Sequence, residues 1–152
     1  CARRTFDEVN FLFPPGRMNL SWLGQYRDVG ILFLRAGIGL MMVMHGWPKL
    51  AGGQQAWEKV GGAMVHLGIS FWPVFWGFLA AMSETVGGFL LIIGFLTRFA
   101  ALSLTFTMAV ATLMMYRVSQ GAFSEWSHPA EIGIVCFSLI LIGAGKFSVD
   151  RA

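Results

Sequence analysis

Four stretches of the chain stay apolar long enough to suggest membrane spans, and polar or turn-forming intervals separate them. They run from Val29 to Trp47, from Pro73 to Thr97, from Phe99 to Tyr116 and from Ala130 to Ala144. A helical span needs about 20 mostly apolar residues to cover about 30 Å of hydrocarbon. The fourth stretch is short of that, so it is expected to continue through Lys146 or to begin before Glu131. In lipid a backbone must satisfy its own hydrogen bonds, so each stretch reads as helix. The expected fold class is all-α: a polytopic membrane protein built as a four-transmembrane-helix bundle.

Composition excludes the water-soluble alternatives. Hydrophobic residues make up 56% of the 152 positions and charged residues 12%, against about 25% charged in an average soluble domain. Neither a disordered chain nor a soluble domain of this size accommodates so much apolar surface. The net charge of +3 comes from scattered basic residues rather than a stripe, so no nucleic-acid partner is expected. Two cysteines, Cys1 and Cys136, form no CxxC pair, which argues against a disulfide framework or a vicinal-thiol enzyme. No flavin, nicotinamide, haem-attachment or iron–sulfur motif is present.

An even number of spans puts both termini on one side. Arg3, Arg4, Arg17, Arg27, Arg98, Lys146 and Arg151 fall on that side, and Lys49, Lys59 and Arg117 on the other. Seven against three predicts that both termini lie in the cytoplasm. Trp22, Trp47, Trp72, Trp126, Tyr26 and Tyr116 fall near span ends, where interfacial aromatics belong. In the first outer loop, QQAWEKVGGAMVHLGI reads either as a short interfacial helix or as an irregular Gly-rich loop. Residues 1–27 read as a cytoplasmic N-terminal extension and residues 28–152 as the four-helix membrane domain. An acylated Cys1 is a competing reading of the N-terminus, opposed by Arg3 and Arg4.

Charge inside the spans is the candidate chemistry. Arg35 is seven residues into the first span and Glu84 almost central in the second. Each costs about 2.5–3.5 kcal/mol to insert, and mutual bidentate pairing across the bundle is the expected remedy. Such a pair either fixes helix register or forms a polar site for a headgroup or a proton. Arg35, Ile38, Met42, His45 and Lys49 share one helical stripe, as do Glu84, Gly87, Leu91, Gly94 and Arg98. Gly87, Gly88 and Gly94 admit a close neighbouring helix, and Ser83 and Thr85 can hydrogen-bond across helices. His45, Lys49, His128 and Glu131 could gather at the outer end, continuous with Arg35 and Glu84. Histidine with carboxylate can ligate metal, but His128 and Glu131 make a weak motif interrupted by Pro129, and no metal site is assigned.

The runs RAGIGLMMVMHGWPKLAGG, ETVGGFLLIIGFLTRFAA and GAGKFSVDR, in this order, resemble the DoxX family of small bacterial membrane proteins. The resemblance covers roughly Arg27 to Arg151. It rests on Arg35, His45, Gly46, Lys49, Glu84, Gly87, Gly88, Gly94, Arg98 and the Gly143–Asp150 tail. It implies four transmembrane helices and a membrane subunit associated with quinone- or sulfur-linked redox chemistry.

On that footing a quinone is the candidate cofactor, since it needs apolar walls and donors for its two carbonyls. Glu84, Arg35 and His45 are the candidate catalytic residues. Arg35, His45, Lys49, Glu84 and Glu131 are the candidate binding residues. The alternative function is a non-catalytic accessory or structural subunit of a larger bacterial membrane complex, and an anion carrier ranks behind both. The expected partners are membrane lipids with other membrane subunits or further copies of the chain.

Overall fold

In the computed structural model, residues 20–150 are described. Cys1, most of the N-terminal extension and Arg151 lie outside them. A 3-10 turn, Leu20–Tyr26, leads into α1, Arg27–Ala51. A short α2, Gly53–Gly61, follows, and then a 3-10 turn over Gly62–Leu67. The remaining helices are α3, Pro73–Ile93, α4, Thr97–Val118, and α5, Phe123–Ile142. Helices α1, α3, α4 and α5 are long and apolar enough to cross a membrane. The loop between the first two spans is therefore helical in its first half.

The fourth span begins at Phe123, seven residues before the apolar run at Ala130. His128 and Pro129 sit inside it. A proline in a helix interior removes one backbone donor and crowds the preceding turn. Here its carbonyl partner would be Glu125, still in the first turn, close to the membrane surface where water can serve it.

The bundle has two ends. The tail end holds the start of α1, the α3–α4 turn and the segment 143–150. The loop end holds α2, the 62–72 segment and the α4–α5 turn. Among the described residues the core comprises Met42, Leu91, Ala100, Ala101, Leu104, Met108, Cys136 and Leu139. Phe33, Phe89, Phe99, Phe106, Ile134 and Leu141 point outward and are exposed. In water they would form a sticky coat, whereas in a bilayer they are solvated by acyl chains. Tyr26, Trp47, Trp72 and Tyr116 are exposed near helix ends, as interfacial anchors should be.

Helices α1 and α3 run antiparallel along a glycine seam. A Cβ on Gly39 would lie 2.5 Å from the Gly88 carbonyl, and one on Gly46 would lie 2.6 Å from the Thr85 nitrogen. Any side chain there would force the helices apart. The seam therefore fixes register: Gly39 faces Gly88, and Gly46 faces Glu84 and Thr85. A second backbone-to-backbone contact packs α2 on α3, where a Cβ on either Gly61 or Gly77 would overlap the opposing main chain. This contact holds α2 beside the first half of α3, not merely on the membrane surface.

A candidate ligand cavity and a separate tail clamp

The register separates the two charges expected to pair. Arg35 lies at the tail end and Glu84 at mid-depth. Arg35 faces Gly94, while Lys49 faces Glu84. The fourteen residues from Arg35 to Lys49 rise about 21 Å at 1.5 Å per residue. The expected Arg35–Glu84 pair is therefore absent, because the glycine seam places each charge beside a different partner.

Arg35 instead clamps the C-terminal tail. The residue is 1% exposed, and its guanidinium donates to the Ala144 carbonyl at 2.5 Å and to the Phe147 carbonyl at 2.5 Å. The tail folds back over the α3–α4 turn. The Asp150 amide donates to the Gly94 carbonyl at 2.9 Å, and an Asp150 carboxylate oxygen accepts from the Thr97 amide at 2.7 Å. Asp150 thus caps the first turn of α4, where free amides and the helix dipole favour an anion. The Thr97 amide is the main reason that the Asp150 carboxyl is held below the usual range, with the Leu96 amide and the Arg35 charge acting in the same direction. Lys146, exposed, reaches Asp28 at 3.5 Å. This pair is a surface contact worth little.

Glu84 is held by Lys49. The Lys49 Nζ donates to both carboxylate oxygens at 2.6 Å. The Glu84 side chain is 3% exposed and that of Lys49 is 35% exposed. Glu84 also falls in a π-helical turn, Ser83–Gly87, within α3. Such single-turn bulges redirect side chains and are frequent at functional sites. Beside this pair opens a cavity of about 690 Å³, walled by α2, α3, α4 and the 3-10 turn after α2. Its lining is chiefly apolar, including Leu79, Val110, Ala111 and Met114, with polar exceptions in Lys49, Lys59, Ser83, Glu84, Ser103 and Thr107. The Thr107 hydroxyl donates to the Ser103 carbonyl at 3.0 Å and lies 3.1 Å from the Ser83 hydroxyl.

Of the binding residues expected from sequence, Lys49 and Glu84 meet in this cavity. Arg35, His45 and Glu131 do not line it. His45 is exposed and packs its ring near His128, with centroids 6.3 Å apart, because its position on α1 turns it towards α5. Glu131 is exposed on α5. The expected continuous polar path from Arg35 to the outer cluster is therefore broken into separate places. Ser83 makes its expected cross-helix contact, whereas the buried Thr85 hydroxyl has no hydrogen-bond partner. Among the described residues, no three His, Cys, Asp or Glu side chains gather as a metal site.

Sequence reasoning did not pick out Ser103, Thr107, Lys59 or the cavity itself. The available signal was a stripe of small and hydroxyl residues on α4, Ser103, Thr107 and Ala111, one of which, Thr107, meets Ser83 on α3. At spacings of three or four, such stripes keep two helices close while leaving room between their side chains. A second hollow of about 520 Å³ lies between α4 and α5. It is lined without a charged side chain and has little to orient a ligand.

The comparisons with known proteins fit this architecture. The family profile described as DoxX matches residues 30–117, more than half of the chain. The chain belongs to the DoxX family. It is similar to Inner membrane protein YqjF of Escherichia coli (strain K12), at 31% identity over 82% of this chain and 92% of that protein. It is also similar to an uncharacterized protein of Haemophilus influenzae (strain ATCC 51907 / DSM 11121 / KW20 / Rd), at 29% identity over 85% of this chain and 94% of that protein. No solved structure matches. The DoxX match spans the α1–α3 seam, the Lys49–Glu84 pair and the cavity walls on α2, α3 and α4, so the candidate site lies inside the family region.

Proposed function

We propose that this DoxX-family membrane protein binds a quinone-class molecule in the cavity beside Lys49 and Glu84, as a subunit associated with quinone-linked redox chemistry. The observation that carries the reading is the junction of a largely apolar cavity with a buried ion pair on a π-helical turn. A volume of about 690 Å³ lies within the range of about 300–1,000 Å³ usual for small-molecule sites.

The residues fit the group. An ammonium has three protons, and Lys49 uses two on Glu84, so one remains for a carbonyl oxygen. The Ser83 hydroxyl offers a second donor on the same wall. Leu79, Val110, Ala111 and Met114 supply apolar surface for a ring and the start of a tail. Glu84, in contact with Lys49, can accept or return a proton beside the bound ring. A quinone, when bound, supplies two-electron carrier chemistry, and the other redox group would come from a partner subunit. The DoxX membership and the Escherichia coli inner-membrane relative support a bacterial inner-membrane position, and the basic-residue bias supports cytoplasmic termini, an orientation in which the cavity lies on the outer side.

The test is titration of purified full-length protein with a short-chain ubiquinone, following quenching of tryptophan fluorescence. Trp76 lines the cavity and makes a direct reporter. Wild type should show saturable quenching. Ala111→Phe, which fills the cavity and spares the ion pair, should weaken it at least tenfold. Equal quenching in both would overturn the reading and leave the accessory-subunit function in its place.

A further inference from the structure

We infer that the Lys49–Glu84 site exchanges water, protons and polar ligand groups with the loop end of the bundle only. This deepens the reading of the cavity as the binding site and rests on it. Lys49 is the group that joins the buried carboxylate to that end, since it touches both Glu84 oxygens yet remains 35% exposed. Lys59, on α2, lines the same cavity and is itself exposed. The charged side chains lining the cavity are thus Lys49, Lys59 and Glu84, and the polar side chains that α4 adds are two hydroxyls, Ser103 and Thr107.

Towards the tail end the path is closed. Below Glu84 the bundle is filled by Met42 at 1% exposure and by Leu91, Ala101 and Leu104 at 0%. On the α1 side the Gly39–Gly88 contact leaves no room for a side chain or a water. A proton needs a chain of polar groups or waters to travel, and an apolar close-packed layer offers neither. The next buried charge is Arg35, about 21 Å along α1 from Lys49, and its two terminal nitrogens donate to the Ala144 and Phe147 carbonyls. A proton arriving at the site therefore passes from loop-end water to Lys49. Glu84 gains one only as Lys49 gives one up, and Lys49 is then reprotonated from the same side.

Cysteine accessibility in sealed membrane vesicles tests this. The full chain carries Cys1→Ser and Cys136→Ala, with one added cysteine at a time: Ser83→Cys in the cavity, Glu125→Cys at the exposed loop end, or Arg98→Cys at the exposed tail end. A membrane-impermeant anionic methanethiosulfonate is applied to vesicles of each orientation. Ser83→Cys should be labelled at least tenfold faster from the side that labels Glu125→Cys than from the side that labels Arg98→Cys. Ala80→Cys, on the same cavity wall, is expected to behave alike and covers the case in which Ser83→Cys folds poorly. Labelling from the tail side, equal labelling from both sides, or none from either would overturn the inference. A parallel arm adds a short-chain ubiquinone. Loss of its protective effect with sided labelling intact would overturn the quinone reading alone.

Discussion

Arg35 and Gly94 occupy one tight space at the tail end of the bundle, so that a Cβ on Gly94 would collide with the guanidinium. Gly94 also has φ +76°, which a residue with a side chain adopts at a cost of about 1–2 kcal/mol. Two penalties therefore coincide at Gly94→Ala: backbone strain and displacement of the tail clamp. The expected loss is at least about 2 kcal/mol, read as a lower melting temperature in detergent. Gly37→Ala is the matched control. It sits in α1 with open space around the added carbon, and alanine in a helix interior should gain about 0.5–1 kcal/mol.

The clamp predicts a protease-sensitive tail when Arg35 is removed. A hydrogen bond involving a charged group contributes about 1.5–3 kcal/mol, and Arg35 makes two to the tail. Lys146 already presents an exposed side chain, but trypsin must lift the backbone from the bundle before cutting. Arg35→Met should speed cleavage after Lys146 by tenfold or more, measured by mass spectrometry of timed digests. Arg35→Lys should be intermediate, because an ammonium cannot reproduce the planar fork that spans two carbonyls. Equal rates in all three proteins would mean that the tail is held by its other contacts.

Much of the fold was legible because lipid imposes a length rule that water does not. Three spans follow from apolar runs such as Val29–Trp47. The fourth was legible only from Ala130, since Glu125, His128 and Pro129 interrupt the apolar signal in a turn that lies near the membrane surface. The helical stripes also placed Arg35 and Lys49 on one face of α1 and singled out Glu84 on α3. What a stripe does not supply is register along its partner. That depends on backbone approach at Gly39, Gly46 and Gly88, and it hands Glu84 to Lys49 instead of Arg35. The tail motif GAGKFSVDR was visible as a motif, but its role was hidden because Arg35 binds its main-chain carbonyls, which every sequence possesses.

Asp150 makes tail docking sensitive to acid. Its carboxyl is held below the ordinary range by the Thr97 amide first, and by the Leu96 amide and Arg35 besides. A depressed folded-state value means that the stabilisation is fully present above the ordinary aspartate range. It is lost as pH falls from about 4 through the depressed value. Tail protection from an acid-active protease, followed between pH 5 and pH 2, should decline across that window. Asp150→Asn should remove this component and leave weaker protection at pH 5. A wild-type profile that stays flat would show that Asp150 does not govern docking.

The Lys49–Glu84 pair predicts a strongly non-additive mutant cycle. Removing Lys49 alone leaves a carboxylate, 3% exposed, without its counter-charge, and breaking a buried pair from one side costs about 3–5 kcal/mol. Lys49→Met should therefore melt well below wild type. Glu84→Gln should cost less, because Lys49 is partly exposed and can turn its ammonium towards water. Lys49→Met combined with Glu84→Gln removes both charges and should recover much of the loss of Lys49→Met. The coupling expected for side chains in direct contact is about 0.5–3 kcal/mol, measured from melting curves of the four proteins in one detergent. Additive losses would mean that the two groups do not share a proton or a charge in the membrane, and Glu84 would then lack the partner through which the proposed site reaches water.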